Sequence, residues 1–277
     1  MRITKSNINA TKRRRKLHYS YSKLDRLKIH FGDIVEIDNH KILCGDSKDY
    51  KSYETILEDN YIDMVVTSPP YNQGGLFYSK CKDNLSKDSY YNFLMAVLNN
   101  TSIWCNQDTS VLWNVGYNNK SRDDYGKIVF SDYNPFTVKE TIVWNKLNSI
   151  PICYPGNLTR RAELIFLMSM GEKYHTNQQR ELWSNIWTIR TQGSNNLLNS
   201  ACFPVELPET GITKFCVDGG IVFDPFLGNG TTLIASENLE RRCIGIEIDE
   251  NLVYSMIKRY LKHYPNADIY VNGDPVN

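Results

Sequence analysis

Polar and apolar positions along this chain follow two regimes that alternate. Short, nearly continuous apolar runs give way to longer stretches with helical spacing. Residues 62–67, Ile-Asp-Met-Val-Val-Thr, form such a run. Apolar residues on successive positions suit a parallel strand covered on both faces. Similar runs predict strands over 110–115, 140–144, 163–168, 221–223 and 243–247. Helical spacing predicts helices over 49–59, 87–104, 231–240 and 250–263, with a shorter one starting near Pro204 and reaching about 217. Residues 33–44 read as a hairpin with Asp38-Asn39 at its turn. Strands alternating with helices imply an α/β fold with a doubly wound, mostly parallel sheet. Three polar stretches carry no strong period: 72–86 and 171–200 read as loops, and 116–135 as an irregular segment with room for a helix.

Charge divides the chain unevenly. Its net charge is +1, yet residues 1–30 hold ten Lys/Arg and the single acid Asp25. Within them, Lys12, Arg13, Arg14 and Arg15 stand together, with Tyr19 and Tyr21 close behind. This basic arm on a mildly acidic body predicts a polyanionic partner. The seven cysteines are scattered, with no CxxC pair and no accompanying His cluster. That spacing argues against a disulfide framework and against a metal site, and it predicts a reduced, cytoplasmic compartment. No segment approaches the roughly 18 consecutive apolar residues of a membrane span.

Two stretches carry chemistry. The first is Asp224-Pro225-Phe226-Leu227-Gly228-Asn229-Gly230-Thr231-Thr232, between a predicted strand and a predicted helix. Glycines there let backbone approach a ligand closely, and the next helix presents free N–H groups. An acid before the turn suits a cationic ligand group. Glu247, at the end of the following strand, stands where a βαβ nucleotide site places its ribose-binding acid. The second stretch is Thr67-Ser68-Pro69-Pro70-Tyr71, at the carboxyl end of another strand. Two prolines fix two φ angles, so this loop is stiff and its acceptors point in set directions. Ser68 and the Pro69 carbonyl can accept from an amine, and Tyr71 can stack on a flat ring.

Together these stretches resemble motif I and motif IV of the amino-methyltransferases of DNA. The Ser-Pro-Pro-Tyr element precedes the Asp-Pro-Phe-x-Gly-x-Gly element, the order of the family's β group. Gly45-Asp46-Ser47 is similar to the element whose acid contacts the cofactor adenine. Phe203-Pro204 is similar to the element lining the methionine and adenine pocket. The resemblance spans roughly residues 33–263 and implies a seven-stranded, Rossmann-like methyltransferase sheet. It implies S-adenosylmethionine as cofactor, held by Asp46, Phe203, Pro204, Asp224, Phe226, Gly228, Gly230, Thr231 and Glu247, with Thr231 or Thr232 capping the helix. Ser68, Pro69, Pro70 and Tyr71 would be the catalytic loop. Lys12 to Arg15 would touch DNA phosphates, and the insert at about 171–200, with the loop at 72–86, would recognise the target within a domain spanning 31–277.

The implied reaction is direct methyl transfer to an exocyclic amine of a flipped-out base in double-stranded DNA. No Pro-Cys dipeptide occurs in the chain, which disfavours the cysteine-dependent route to the cytosine ring carbon. Ser68 at the head of motif IV favours N4 of cytosine, with N6 of adenine as the alternative. The setting implied is a bacterial or archaeal restriction–modification system, nucleoid-associated, with a cognate endonuclease as possible partner and a monomer or homodimer as its state. RNA or protein substrates, and a binding protein with an inactive cofactor site, are the rival readings.

Overall fold

The computed structural model describes residues 24, 26–72, 84–116, 123–149, 158–177, 183–191 and 202–276. One sheet gathers every strand among them. In chain order these are β1 (Ile34–Ile37), β2 (His40–Cys44), β3 (Ile62–Thr67), β4 (Cys105–Val115), β5 (Thr137–Lys146), β6 (Ala162–Ser169), β7 (Ile186–Ile189), β8 (Ile221–Asp224), β9 (Arg242–Glu247), β10 (Ile269–Val271) and β11 (Asp274–Pro275). Their spatial order is β11-β10-β1-β2-β9-β8-β3-β4-β6-β5-β7. The seven-stranded sheet that the resemblance implies is the inner run from β2 to β5, and β1 is the first strand of the expected hairpin. β1, β10 and β11 extend one edge and β7 the other. From β2 through β9, β8 and β3 to β4 the pairings are parallel. β6 reverses, lying antiparallel to both β4 and β5.

The helices are α1 (Tyr50–Leu57), α2 (Lys87–Ile103), α3 (Asp124–Val129), α4 (Glu206–Phe215), α5 (Thr231–Asn238) and α6 (Glu250–His263). Alternate residues of the central strands face opposite layers, as a pleated strand requires. Val65 and Phe223 join a core with Tyr53 of α1, Leu94 of α2 and Ile128 of α3. Met64, Val66 and Val222 join another with Leu207 and Ile212 of α4. Ile42 and Cys243 pack with Leu233 of α5 and Val253 and Met256 of α6. The sheet is thus sandwiched between α1–α3 and α4–α6, the doubly wound arrangement predicted.

Local signals start three of the helices. Asp49 accepts from the Lys51 amide at α1, Ser86 from Ser89 at α2, and Asp249 from Asn251 at α6, satisfying amides that lack intrahelical partners. Helix α5 departs from expectation. Its N-cap is Gly230, with no side-chain cap, and neither threonine fills that role. The Thr232 hydroxyl donates instead to Asp224 Oδ2 at 2.6 Å, because a buried carboxylate is the stronger acceptor.

The polar insert at 171–200 also differs from expectation. β6 runs from Leu164 beside Val115 to Met168 beside Val111, so it ends at the rim opposite the Pro69-Pro70 loop. Residues after it are clamped there: the His175 amide donates to the Asp108 carbonyl, and the Asn177 amide to the Lys214 carbonyl. The chain then climbs the sheet edge as β7, parallel to β5. β7 ends with Ile189 beside Lys146, at the rim where β3 ends. The rim also receives the connection from Lys146 to Ala162. The alternation that marks β7, with Trp187 and Ile189 buried and Ile186 and Thr188 exposed, lasts only four residues.

Candidate active site

β2, β3, β8 and β9 all end at one rim, and the turns leaving them enclose a cavity of about 340 Å³. At its floor β8 delivers Asp224, which is 1% exposed. Asp224 Oδ1 accepts from the Thr67 hydroxyl at 2.7 Å and the Phe226 amide at 3.0 Å, while Oδ2 accepts from Thr232. A carboxylate has about four acceptor sites, so internal donors use most of this one. Burial pushes its pKa up to about 6, against the pull of those donors. Asp224 therefore acts chiefly on the turn, fixing its first amide and the first turn of α5.

The glycine turn is conformationally demanding. Gly228 and Gly230 have φ of 55° and 72°, in the left-handed region where a side chain is strained. At Gly230 a Cβ would also overlap Met256 of α6. Arg259 reaches over from α6 and donates to the Asn229 carbonyl and to the Thr231 hydroxyl. β9 delivers Glu247, whose Oε2 accepts from the Gly228 amide at 2.8 Å and whose Oε1 accepts from the Asp249 amide at 2.9 Å. Each oxygen keeps a lone pair, which suits two vicinal hydroxyls. Burial raises the Glu247 carboxyl to about 7.

The remaining wall combines Asp46 after β2, Phe203 before α4, Phe226, and Tyr90 and Phe93 of α2. Phe226 packs edge-on against Phe93 and Trp113. Ser68, Pro69, Pro70 and Tyr71 line the same cavity. The Tyr90 hydroxyl donates to the Pro70 carbonyl at 2.7 Å, which pins the loop to α2. Ser68 Oγ lies 2.6 Å from the Tyr71 hydroxyl.

Asp46, Ser68, Pro69, Pro70, Tyr71, Phe203, Asp224, Phe226, Gly228, Thr231 and Glu247 thus meet in one cavity. Pro204 and Gly230 stand outside its wall. The Pro204 carbonyl accepts from Leu207 at the start of α4, and Gly230 shapes the turn. Lys12, Arg13, Arg14 and Arg15 lie outside the described residues. Sequence reasoning missed Asn114, Lys146 and Glu163, which stand behind Tyr71. Asn114 donates to Tyr71 and to Glu163 at 3.0 Å each, and Lys146 pairs with Glu163. The available signal was one polar residue inside an apolar strand, Asn114 after Val111-Leu112-Trp113.

The model of the DNA methylase family that covers N6 and N4 enzymes matches residues 62–259. The chain belongs to this family of DNA methylases. The methylase is 26% identical to the Type II methyltransferase M.SmaI of Serratia marcescens, over 80% of this chain and 91% of that one. It is equally similar to M.MjaI of Methanocaldococcus jannaschii, over 77% and 88%. Its fold matches the PvuII DNA methyltransferase, described as cytosine-N4-specific, with a TM-score of 0.66 at 21% identity, over 80% of this chain and 86% of that one. It also matches the M1.HpyAVI–SAM complex, with a TM-score of 0.61 at 22% identity, over 79% and 98%. S-adenosylmethionine is the methyl donor of the family. The cavity's donor set fits it: paired lone pairs on Glu247, a close-approach glycine turn, and aromatic walls for a flat base. No helix of the methylase among the described residues is long and apolar enough to cross a membrane.

Proposed function

We propose that this methylase transfers a methyl group from S-adenosylmethionine to N4 of a cytosine flipped out of double-stranded DNA, at a specific sequence. The observation that carries the reading is Ser68 Oγ, on a Pro-Pro loop pinned by Tyr90, in the same cavity as Glu247 and the glycine turn. Bound donor supplies an electrophilic methyl on a sulfonium. Glu247 would hold its ribose, with Asp46, Phe203 and Phe226 around the base. Ser68 would accept from the target amine and hold it in line, and Tyr71 would flank the pyrimidine. Holding two reactants in a productive geometry contributes about 7–11 kcal/mol, so positioning does most of the work. Flipping costs a few kcal/mol, offset by stacking and hydrogen bonds in the pocket.

The Type II name shared by its relatives supports a place in a restriction–modification system beside an endonuclease. The connections that follow Tyr71, Lys146 and Ile189 are the candidates for reading sequence, and the basic arm is the candidate for holding phosphates. Nucleoside analysis of plasmid DNA incubated with the protein and donor tests the atom. N4-methyldeoxycytidine is expected. N6-methyldeoxyadenosine as sole product assigns the alternative target.

A further inference from the structure

Behind the Tyr71 ring, outside the cavity wall, β4, β5 and β6 bring Asn114, Lys146 and Glu163 together. The proposed target chemistry makes no use of them. A carboxylate only accepts hydrogen bonds. Glu163 Oε2 accepts from the Tyr71 hydroxyl at 3.4 Å and from Asn114 Nδ2 at 3.0 Å, and Oε1 accepts from Lys146. The Tyr71 link is the long one, as bonds between catalytic groups often are before substrate is bound. Tyr71 has one hydrogen. With it directed to Glu163, the 2.6 Å contact to Ser68 needs Ser68 as donor. Asn114 Nδ2 also donates to Tyr71 Oη at 3.0 Å, which fills that oxygen as an acceptor. The Asn114 amide cannot be turned over, since its oxygen would then face the carboxylate. Ser68 is left with only lone pairs to offer the cavity.

We propose that Glu163, neutralised by Lys146, is a positioning residue that fixes the direction of this hydrogen-bond chain and makes Ser68 an acceptor for the target amine. The inference rests on the reading of the site as an amine methylase. It also gives the departing proton a destination. As the nitrogen–methyl bond forms and the sulfur–methyl bond breaks, the amine loses one proton. Ser68 takes it while passing its own to Tyr71, and Tyr71 passes its own to Glu163. The Glu163 side chain is 15% exposed and returns the proton to water.

Glu163→Gln supplies an amide that can donate to Tyr71, so the chain can run backwards and turn the Ser68 hydrogen into the cavity. That variant strands the Lys146 charge, so Lys146→Met/Glu163→Gln is measured beside it. Both should lose about tenfold or more in kcat, a difference in transition-state stabilisation. KM for DNA and donor affinity by calorimetry should hold within about twofold. Glu163→Asp, which keeps the charge, should recover part of kcat. A readout independent of turnover is the carbon-13 resonance of the Tyr71 phenol carbon in unliganded protein, assigned with Tyr71→Phe. It should move in the Gln variant. A double variant with unchanged kcat, or an unmoved resonance, overturns the inference. A wild-type protein that methylates no DNA instead fails the reading beneath it.

Discussion

Thr67 donates its hydroxyl hydrogen to Asp224 at 2.7 Å, across 157 positions of sequence. The bond joins the last residue of the strand that launches the Pro69-Pro70 loop to the last residue of the strand that launches the glycine turn. Both groups are buried. Thr67→Val keeps the shape and removes the donor. Leaving a buried acceptor short of a partner costs about 1–3 kcal/mol, and more where the acceptor is charged. The denaturation midpoint should drop accordingly, with donor binding weakened. An unchanged midpoint would show that the bond contributes nothing to the fold.

Cofactor binding should release protons. Burial raises the Glu247 carboxyl from about 4.5 to about 7 and Asp224 from about 3.8 to about 6. Across those windows the folded chain holds more protons than the unfolded one. The stability these groups add is therefore complete at acid pH and is lost as pH rises through the folded values. Ribose hydroxyls donating to Glu247 favour its ionised form, so binding expels a proton and affinity rises with pH up to about 7. Calorimetry near pH 6.5 in buffers of different ionisation enthalpy should give different apparent enthalpies. Glu247→Gln should erase that difference and weaken binding by about 1.5–3 kcal/mol. Identical enthalpies for the wild type would rule out the linkage.

Gly116 follows β4 with the Tyr71 ring directly against it, so that a Cβ there would lie 2.5 Å from Tyr71 Cε2. The ring cannot swing aside freely, because its hydroxyl is held by Ser68 and Asn114. Gly116→Ala should cut methyl transfer about tenfold or more, about 1.4 kcal/mol of barrier. Donor affinity should be preserved, since Glu247 and the turn are untouched. Wild-type turnover would mean that Tyr71 is not held in place for catalysis.

The N-terminal arm should add affinity without sequence choice. Ten basic residues within 1–30 can pair with phosphates, which carry no sequence information. Removing residues 1–30 should flatten the dependence of DNA affinity on salt, because fewer counterions are released. The methylated sequence should stay the same. A truncated protein with the full salt slope would make the arm a bystander.

The inner strands were legible because local composition and tertiary role agree. Ile62 to Thr67 is apolar because helices cover both faces, and Asp224 and Glu247 sit at strand ends where sequence spacing puts them. β10 and β11 escaped notice because they are three and two residues long, and β7 because its four residues lie in a polar stretch. The threonine cap failed for a different reason. Helix propensity is local, but Thr232 answers to a carboxylate buried beneath it. The Glu163 network was invisible for a longer-range reason still. No local feature shows that β6 runs backwards between β4 and β5, and only that reversal puts Glu163 behind Tyr71.

The reversal of β6 decides which parts of the chain can vary without disturbing the cavity. β5 ends and β6 begins at the rim where β3 and β8 end, with Asn145 beside Ala162, and both strands lie across β4 from the cavity's strands. A change of sequence between Lys146 and Ala162 therefore need not rethread β2, β9, β8 or β3, the strands whose ends carry the cavity residues.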